Sequence, residues 1–318
     1  MATTGIAAAF TKGISKHFFL ELELYPPYFY DFMHYEDMDT AYIDEQGYEN
    51  YGLPSRRNPG EPIKMGEFRQ SFNKRYVPDN YALGDTIPKE DLDDDMYDIF
   101  HRQLSAKAGG FARNFRTLQD IQVAGMFINF GYSGANVPFG SDGVALLSTS
   151  HPVSRARSSV LVSNRASVDV DFSISSYHMA WTNLTTQVGP NNIEIIRNKP
   201  RHLVVNPSQR QVAVQVVQAP WERGTADRNE NIIPRDKVDV ILWPYFQRSG
   251  TQGSAATPAA NNSWFLVGEQ HYLKFFMRSN FQPDTDSDIN TNSQIFTGLI
   301  RFAYGWSDWR GTYGSGGL

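Results

Sequence analysis

The sequence predicts an α+β fold, and three observations carry that prediction. Apolar residues recur at three- and four-residue steps from Met96 to Ile121, with no proline between Pro88 and Pro138, which is the pattern of one long helix. Four short apolar runs late in the chain, Val238–Trp243, Trp264–Val267, Leu273–Met277 and Ile295–Tyr304, have the length and composition of strands. Between an aromatic start and the helix lies a glycine- and proline-punctuated stretch, 44–75, too long for an ordinary connection in a compact domain. At 318 residues, 41% hydrophobic and 20% charged, the chain is globular in composition and long enough for one large or two modest domains.

In chain order, the first 40 residues form an arm. It carries Phe18-Phe19-Leu20 and Tyr25-Pro26-Pro27-Tyr28-Phe29-Tyr30 with neither helical nor strand periodicity. The proline pair removes two backbone donors and blocks a regular ladder. Such a segment buries its rings only against something else, either its own domain or a neighbouring subunit. The glycine- and proline-punctuated stretch 44–75 follows. Ala41-Tyr42-Ile43 and Arg75-Tyr76-Val77 read as short strands, so a two-stranded flap is expected; the alternative is a floppy insertion. The stretch between them is charged, with Arg56, Arg57, Lys64, Arg69, Lys74 and Arg75 among the cations.

Six acids between Glu90 and Asp98 suit the first turn of a helix, where they complement the positive end of its dipole. The stripe Met96, Ile99, Phe100, Leu104, Ala108, Phe111, Phe115, Leu118 and Ile121 then predicts a helix over about 90–128, some ~55 Å long. Gly109-Gly110 is expected to bend it rather than end it. Glycines 131, 134, 140 and 143 mark a turn region, and 153–170 reads as an exposed hairpin or loop. Tyr177, Ala180, Trp181, Leu184 and Val188 predict a second helix capped by Asp171 or Ser173. Leu203-Val204-Val205 reads as a buried strand running into Asn206-Pro207, a cap followed by proline at the first helical position. Val212, Val214 and Val216 alternate as in a strand, but the Asn-Pro start favours a helix over 207–219. Ser249–Asn262 is expected to be a loop, and the glycine-rich tail Gly311–Leu318 to be disordered. There is no internal repeat.

Catalytic patterns are missing. The absence of cysteine excludes disulfides, thiolate metal sites and a cysteine nucleophile. Gly131-Tyr132-Ser133-Gly134-Ala135 lacks the second glycine of a nucleophile elbow, and no phosphate loop is present. No two of the seven histidines have metal-ligand helix spacing. His151, ahead of Pro152, reads as structural. Asp284-Thr285-Asp286-Ser287-Asp288 opens like a calcium loop but then has Ile289 and Ile295 where glycine and glutamate are required, so a solvated turn is expected. Asn183-Leu184-Thr185 fits a glycosylation sequon, without a secretory signal to give it meaning. Arg155, Arg157 and Arg165, then Arg197, Lys199 and Arg201, cluster locally, but the net charge of −5 argues against a nucleic-acid reader. With no signal peptide and no 18-residue apolar run, the protein reads as cytoplasmic, off the membrane. No catalytic, cofactor-binding or metal-ligating residue is assigned.

The order of these parts resembles the tailed-phage major capsid proteins of the Hong Kong 97-type fold, most closely the Mu-like major head subunit group. Tyr76-Val77 through Tyr81-Ala82-Leu83-Gly84 and the acidic run from Glu90 look like the end of the family's extended loop and the start of its spine helix. Asp142-Gly143-Val144-Ala145-Leu146-Leu147 with Ser150-His151-Pro152 is similar to its glycine–apolar–His-Pro segment. Pro200–Pro207 resembles the start of its axial domain, and Arg301 through Trp306-Ser307-Asp308-Trp309-Arg310 its closing strand. The resemblance spans essentially the whole chain. It implies an N-terminal arm (1–40), an extended loop (41–85), a peripheral domain (86–190 and 271–318) holding the spine helix (about 90–128), and an axial domain (191–270). It also implies a non-enzymatic subunit that assembles with itself into pentamers and hexamers of an icosahedral virion shell in the host cytoplasm. The shell would enclose double-stranded DNA, touched weakly and non-specifically. Further implied partners are portal and decoration proteins and a scaffold, expected to be a separate protein because the chain opens directly on the arm. No cofactor is implied, and the Lys–Asn crosslink of some relatives has no matching motif. The alternatives are an encapsulin-type nanocompartment and, from another class, an aromatic-rich carbohydrate-binding or hydrolytic protein.

Overall fold

The computed structural model of the chain describes residues 18–88, 99–130, 138–222, 229–246, 262–288 and 293–316. The late apolar runs build two four-stranded sheets. The first has the order β1 (His34–Asp37), β10 (Leu273–Asp288), β11 (Ser293–Trp306), β4 (Asp79–Pro88). In it β1 runs parallel to β10, and the other pairs are antiparallel. The second has the order β12 (Thr312–Ser315), β9 (Trp264–Gly268), β7 (Pro200–Val205), β8 (Asp239–Leu242). A hairpin of β2 (Ile43–Glu49) and β3 (Arg69–Tyr76) stands apart, as does the short pair β5 (His151–Pro152) and β6 (Leu161–Val162). Three helices are named: α1 (Ile99–Phe130), α2 (Ile174–Thr186) and α3 (Arg210–Val217).

The second sheet shows why its strands read as unbroken apolar runs. Successive side chains of a strand point to opposite faces. On β9, Trp264 and Leu266 enter one core with α2, α3 and Tyr313, while Phe265 and Val267 enter another with α1 and the arm. On β7, Leu203 and Val205 face the first and Val204 the second. A sheet covered on both sides needs apolar residues at every position.

Helix α1 is uninterrupted through Gly109-Gly110. A Cβ on Gly109 would lie 3.1 Å from Glu21 Cγ, whereas one on Gly110 would meet nothing within 4 Å. The first glycine therefore serves close approach of the arm. The helix runs two residues past the expected end, and the expected start with its acids Glu90–Asp98 lies outside the described residues, as does all but the last residue of the loop expected over Ser249–Asn262. The buried face also differs from the apolar stripe. Phe111, Phe115, Val123 and Phe127 are buried, but Leu118 and Ile121 are half-buried, and the polar Gln119 and Asp120 take the inner positions. Ser173, rather than Asp171, caps α2 through a reciprocal box with Ser176. Asn206 accepts a hydrogen bond from Ser208 N–H as expected, entering a short 3₁₀ turn before α3.

Two expectations are corrected, for the tail and for Asp284–Asp288. The tail is ordered over 311–316: β12 pairs with β9, and Thr312 and Ser315 are fully buried. Its glycines permit this, because a Cβ on Gly314 would come 2.5 Å from the Trp264 carbonyl. Residues 79–85, placed in the extended loop, belong to β4, which pairs with β11 along its whole length. The division at 190/191 and 271–318 separates elements that pack together, since α2 and β12 share a core with β7, β9 and α3. Asp284–Asp288 is strand, not turn; β10 runs eleven residues beyond the apolar segment that announced it, into a polar outer half, while β11 exceeds its own by two at each end.

The two sheets meet at a group of histidines. The rings of His34 and His271 stack at 4.2 Å, and the Leu273 N–H donates to His271 Nδ1 at 3.3 Å. Burial, with His34 and His202 adding repulsion, pushes His271 down from 6.5 to about 3. As pH falls below 6.5 the unfolded chain takes a proton that the folded chain resists. This contribution is therefore whole above about 6.5 and lost progressively towards 3. His271→Gln is expected to flatten the acid limb: the ratio of denaturant midpoints at pH 7.5 and 4.5 should move towards one.

Candidate assembly surfaces

The flap has a fixed root and an uncovered tip. At the root, Asp44 and Arg75 face each other across β2–β3, and the guanidinium grips both carboxylate oxygens at 2.7 Å. Lys274 on β10 bridges Glu45 on β2 and Glu36 on β1. Buried Glu49 accepts from Arg157 Nε at 2.9 Å and Ser154 Oγ at 3.3 Å. Lys74 donates to the Pro138 carbonyl, and burial lowers its ammonium to about 8. A bulge between Gln46 and Tyr48 holds Gly47, where a Cβ would lie 2.9 Å from the Phe72 carbonyl. Every residue from 50 to 68 is exposed. Tyr48 and Tyr51 each pack on Phe68, at 5.1 and 5.6 Å, while Leu53 and Met65 are 74% and 85% exposed. Isolated surface apolar groups need no explanation, but a contiguous set on a projecting hairpin marks a contact site.

The arm lies on its own chain from residue 18 onward. Residues 18–24 are helical, with Phe18 and Leu22 inward; Phe18 stacks on Phe281 and meets Phe115 edge-on. Helix α1 holds it at three points spaced three and four residues apart. Arg113 pairs with Glu21 at 3.2 Å, Arg116 donates to the Leu22 carbonyl and Tyr30 hydroxyl at 3.3 Å, and Asp120 Oδ1 accepts the Tyr28 N–H at 3.1 Å. The first of the two readings of the arm holds for these residues. Its outer side remains apolar, with Phe19, Leu20, Leu24, Tyr25 and Tyr28 exposed.

Burial raises Asp120 from 3.8 to about 7, against hydrogen bonds and Arg116 that pull it down. Between those values the folded chain holds a proton the unfolded chain has lost, so stability falls as pH rises from 4 towards 7. Asp120→Asn keeps an oxygen for Tyr28 and removes the buried charge. The full shift corresponds to roughly 4 kcal/mol, so a gain of about 2 kcal/mol or more is expected at pH 8 and almost none at pH 4. Chemical denaturation at both pH values checks this.

His151 and three of the clustered arginines are tied into the fold, and Gly131–Ala135 lies outside the described residues. His151 is fully buried, with Nδ1 2.7 Å from Asp142 Oδ2, Nε2 3.1 Å from the Leu146 carbonyl, and its ring stacked on Trp309. Both ring nitrogens are occupied. Of the basic clusters, Arg157 pairs with Glu49, Arg165 with Asp169 and Arg201 with Asp239. Among the described residues no three His, Asp or Glu are grouped to hold a metal, and no helix is long and apolar enough to cross a membrane. An open cleft of about 1300 Å³ lies beside the flap root, lined by Glu45, Glu194, Lys274, Trp309 and Arg310 among others. Sequence reasoning missed the clip on α1, whose polar members sit on the buried face. Only the i, i+3, i+7 spacing of Arg113, Arg116 and Asp120 signals it.

The sequence matches the family described as phage capsid protein over residues 73–315. A search of curated proteins finds no match. Among solved structures, the mature capsid of bacteriophage PhiM1 aligns over 91% of this chain and 86% of its own, with a TM-score of 0.58 at 11% identity. The capsid of cyanophage P-SCSP1u aligns over 89% and 85%, at 0.53 and 10%. A Microbacterium phage Oxtober96 chain aligns over 89% and 88%, at 0.52 and 10%. At such identities the likeness speaks to the fold, which is the Hong Kong 97-type.

Proposed function

The chain belongs to the phage capsid protein family, and from that premise we propose that it is the major head subunit, assembling with copies of itself into the icosahedral shell of a tailed phage. It is a structural protein rather than an enzyme. The observation that carries the reading is the set of apolar side chains left uncovered on the flap tip and on the outer side of the arm. Exposed sets of that kind are costly in a monomer and are covered in an assembly. In this reading residues 43–76 are the extended loop and α1 is the spine helix. The first sheet forms the peripheral domain, and the second sheet with α2 and α3 the axial domain. Pentamers and hexamers, portal, scaffold and decoration partners, weak contact with packaged DNA, assembly in the host cytoplasm and kinship with the Mu-like group extend the same proposal. The family match favours a phage head over a nanocompartment. Electron microscopy and sedimentation of purified protein test it: closed or tubular particles are expected. A stable monomer at high concentration, with and without a scaffold, would overturn the reading.

A further inference from the structure

Strand β4 ends the first sheet, and among the described residues no strand lies beyond it. It pairs with β11 over ten residues, Asp79–Pro88, without a register shift. None of residues 79–86 is buried, and Leu83 is 41% exposed. An uncovered edge is a template for another strand, and natural edges are blunted by shortness, lysines, bulges or a covering element. This one is long and regular, carries no Lys or Arg, and has proline only at its last position. Its backbone groups alternate between the β11 side and the uncovered side. Pro88 has no N–H to give β11, and the Thr86 N–H donates to Asp85 Oδ1 at 2.9 Å. Both place the backbone groups of the even-numbered residues on the uncovered side. Asn80, Ala82, Gly84 and Thr86 are then the pairing edge. Pro78 and Pro88, each without a donor, bound it five residues on either side of Leu83.

That symmetry selects the partner. A strand bounded alike at both ends fits an antiparallel copy of itself about a two-fold axis at Leu83. An axis normal to the sheet keeps every side chain on its own face, so only residues of like parity can stand opposite each other. Centred on Leu83, Asn80 meets Thr86 of the second copy and Ala82 meets Gly84, which gives about eight backbone hydrogen bonds. Each proline then stands opposite the other, whereas any other register sets a proline against a residue of the pairing edge. Charge agrees with this choice. Centring on Ala82 would set Asp79 against Asp85, and centring on Asp85 would set that carboxylate against its twin; like charges directly opposite are destabilising. Centring on Gly84 would set Leu83 against Asp85, whereas the Leu83 centre covers the leucine with its twin.

We propose that the β4 edge is a two-fold contact with β4 of a second copy of this chain, joining two four-stranded sheets into one of eight strands. The contact uses the same patch on both copies, so it closes on itself and each subunit makes it once. It rests on the reading of the chain as a shell subunit, in which it ties one ring of subunits to the next.

The chain has no cysteine, so introduced ones test the register by crosslinking. Leu83→Cys should give a dimer band with an oxidant or a short bismaleimide. It should be about tenfold stronger than that of Asn80→Cys or Thr86→Cys alone, since each of those residues would lie six positions, about 20 Å, from its own twin. Mixing Asn80→Cys with Thr86→Cys protein before assembly should recover the band. Ala82→Pro removes a donor from the uncovered side and should lower the assembled fraction about tenfold at an unchanged thermal midpoint; Ala82→Lys carries that arm if the proline variant fails to fold. No band from Leu83→Cys in intact particles would overturn the contact, as would an equal band from Asn80→Cys alone or normal particles from a folded Ala82 variant. Leu83→Cys protein that crosslinks better to Met65→Cys protein than to itself would assign the edge to a neighbour's flap and overturn it too. Wild-type protein that never assembles, with Leu83→Cys still dimerising at high concentration, would remove the shell reading and support the contact; loss of both would overturn both.

Discussion

Replacing residues 50–68 with an Asn-Gly turn between Glu49 and Arg69 is expected to leave the body folded and to abolish closed particles. Those two residues are direct cross-strand partners, so a two-residue turn fits the register. The excised residues are exposed throughout, and a shorter loop lowers closure entropy, so unfolding free energy should change by no more than about 1 kcal/mol. Assembly should respond far more strongly, since Tyr51, Leu53, Ile63, Met65 and Phe68 go with the tip. Obligate interfaces bury about 2,000–5,000 Å², and a projecting hairpin is one way for a thin subunit to reach that area. Cutting all of 44–75 would be a poorer test, because it also removes the buried Glu49 and Lys74. Thermal unfolding with particle sizing checks the result: intact particles would deny the tip a role in assembly, and loss of folding would make it part of the core.

Gly311→Ala is expected to be among the most destabilising single changes in the chain. Its φ is +83°, a region that L residues other than Asn and Asp rarely enter, and an added Cβ would lie 2.0 Å from the Gln270 carbonyl and 2.9 Å from His271 Cα. Both obstacles are backbone and cannot swing aside. The same residue donates its N–H to Gln187 Oε1 and accepts from the Gly268 N–H, both at 2.8 Å, so any shift unseats the start of β12. A loss of about 3 kcal/mol or more follows. Gly52→Ala, with nothing within 4 Å of its Cβ and an ordinary φ, should stay within about 0.5 kcal/mol. Denaturant midpoints at constant slope compare the two.

These two glycines also show where the sequence was legible and where it was not. Local signals with one physical meaning came through: Ser173 ahead of α2, Asn206-Pro207 ahead of α3, and the long apolar stripe of α1. The two flap strands were readable only at their root, at Ile43 and Arg75-Tyr76; the ladder runs on inward to Glu49 and Arg69, and only 50–68 is the exposed tip. What failed depended on distant partners. Gly311–Gly316 looks like a flexible tail until β9 is beside it, because glycine means freedom in solution and close approach in a core. Thr285–Asp288 has no apolar alternation, yet the ladder with β11 holds it as strand. Gln119 and Asp120 look solvent-facing, but they fill the inner side of α1 where the arm crosses it.

Strand β1 pairs with β10 through contacts such as His34 with Lys274 and Asp37 with Met277, spanning some three quarters of the sequence. Contacts so remote must close a very long loop before they stabilise anything, which slows folding. While the chain is still emerging from the ribosome, β10 does not exist and the arm has no strand to join. Its rings, Phe29 and Tyr35 among them, then have no Phe275 to rest on. The arm's seat is therefore completed among the last steps of folding. A subunit whose outer arm surface takes shape only on that seat becomes competent to meet its neighbours after its own body is finished, and the order of synthesis itself delays premature association.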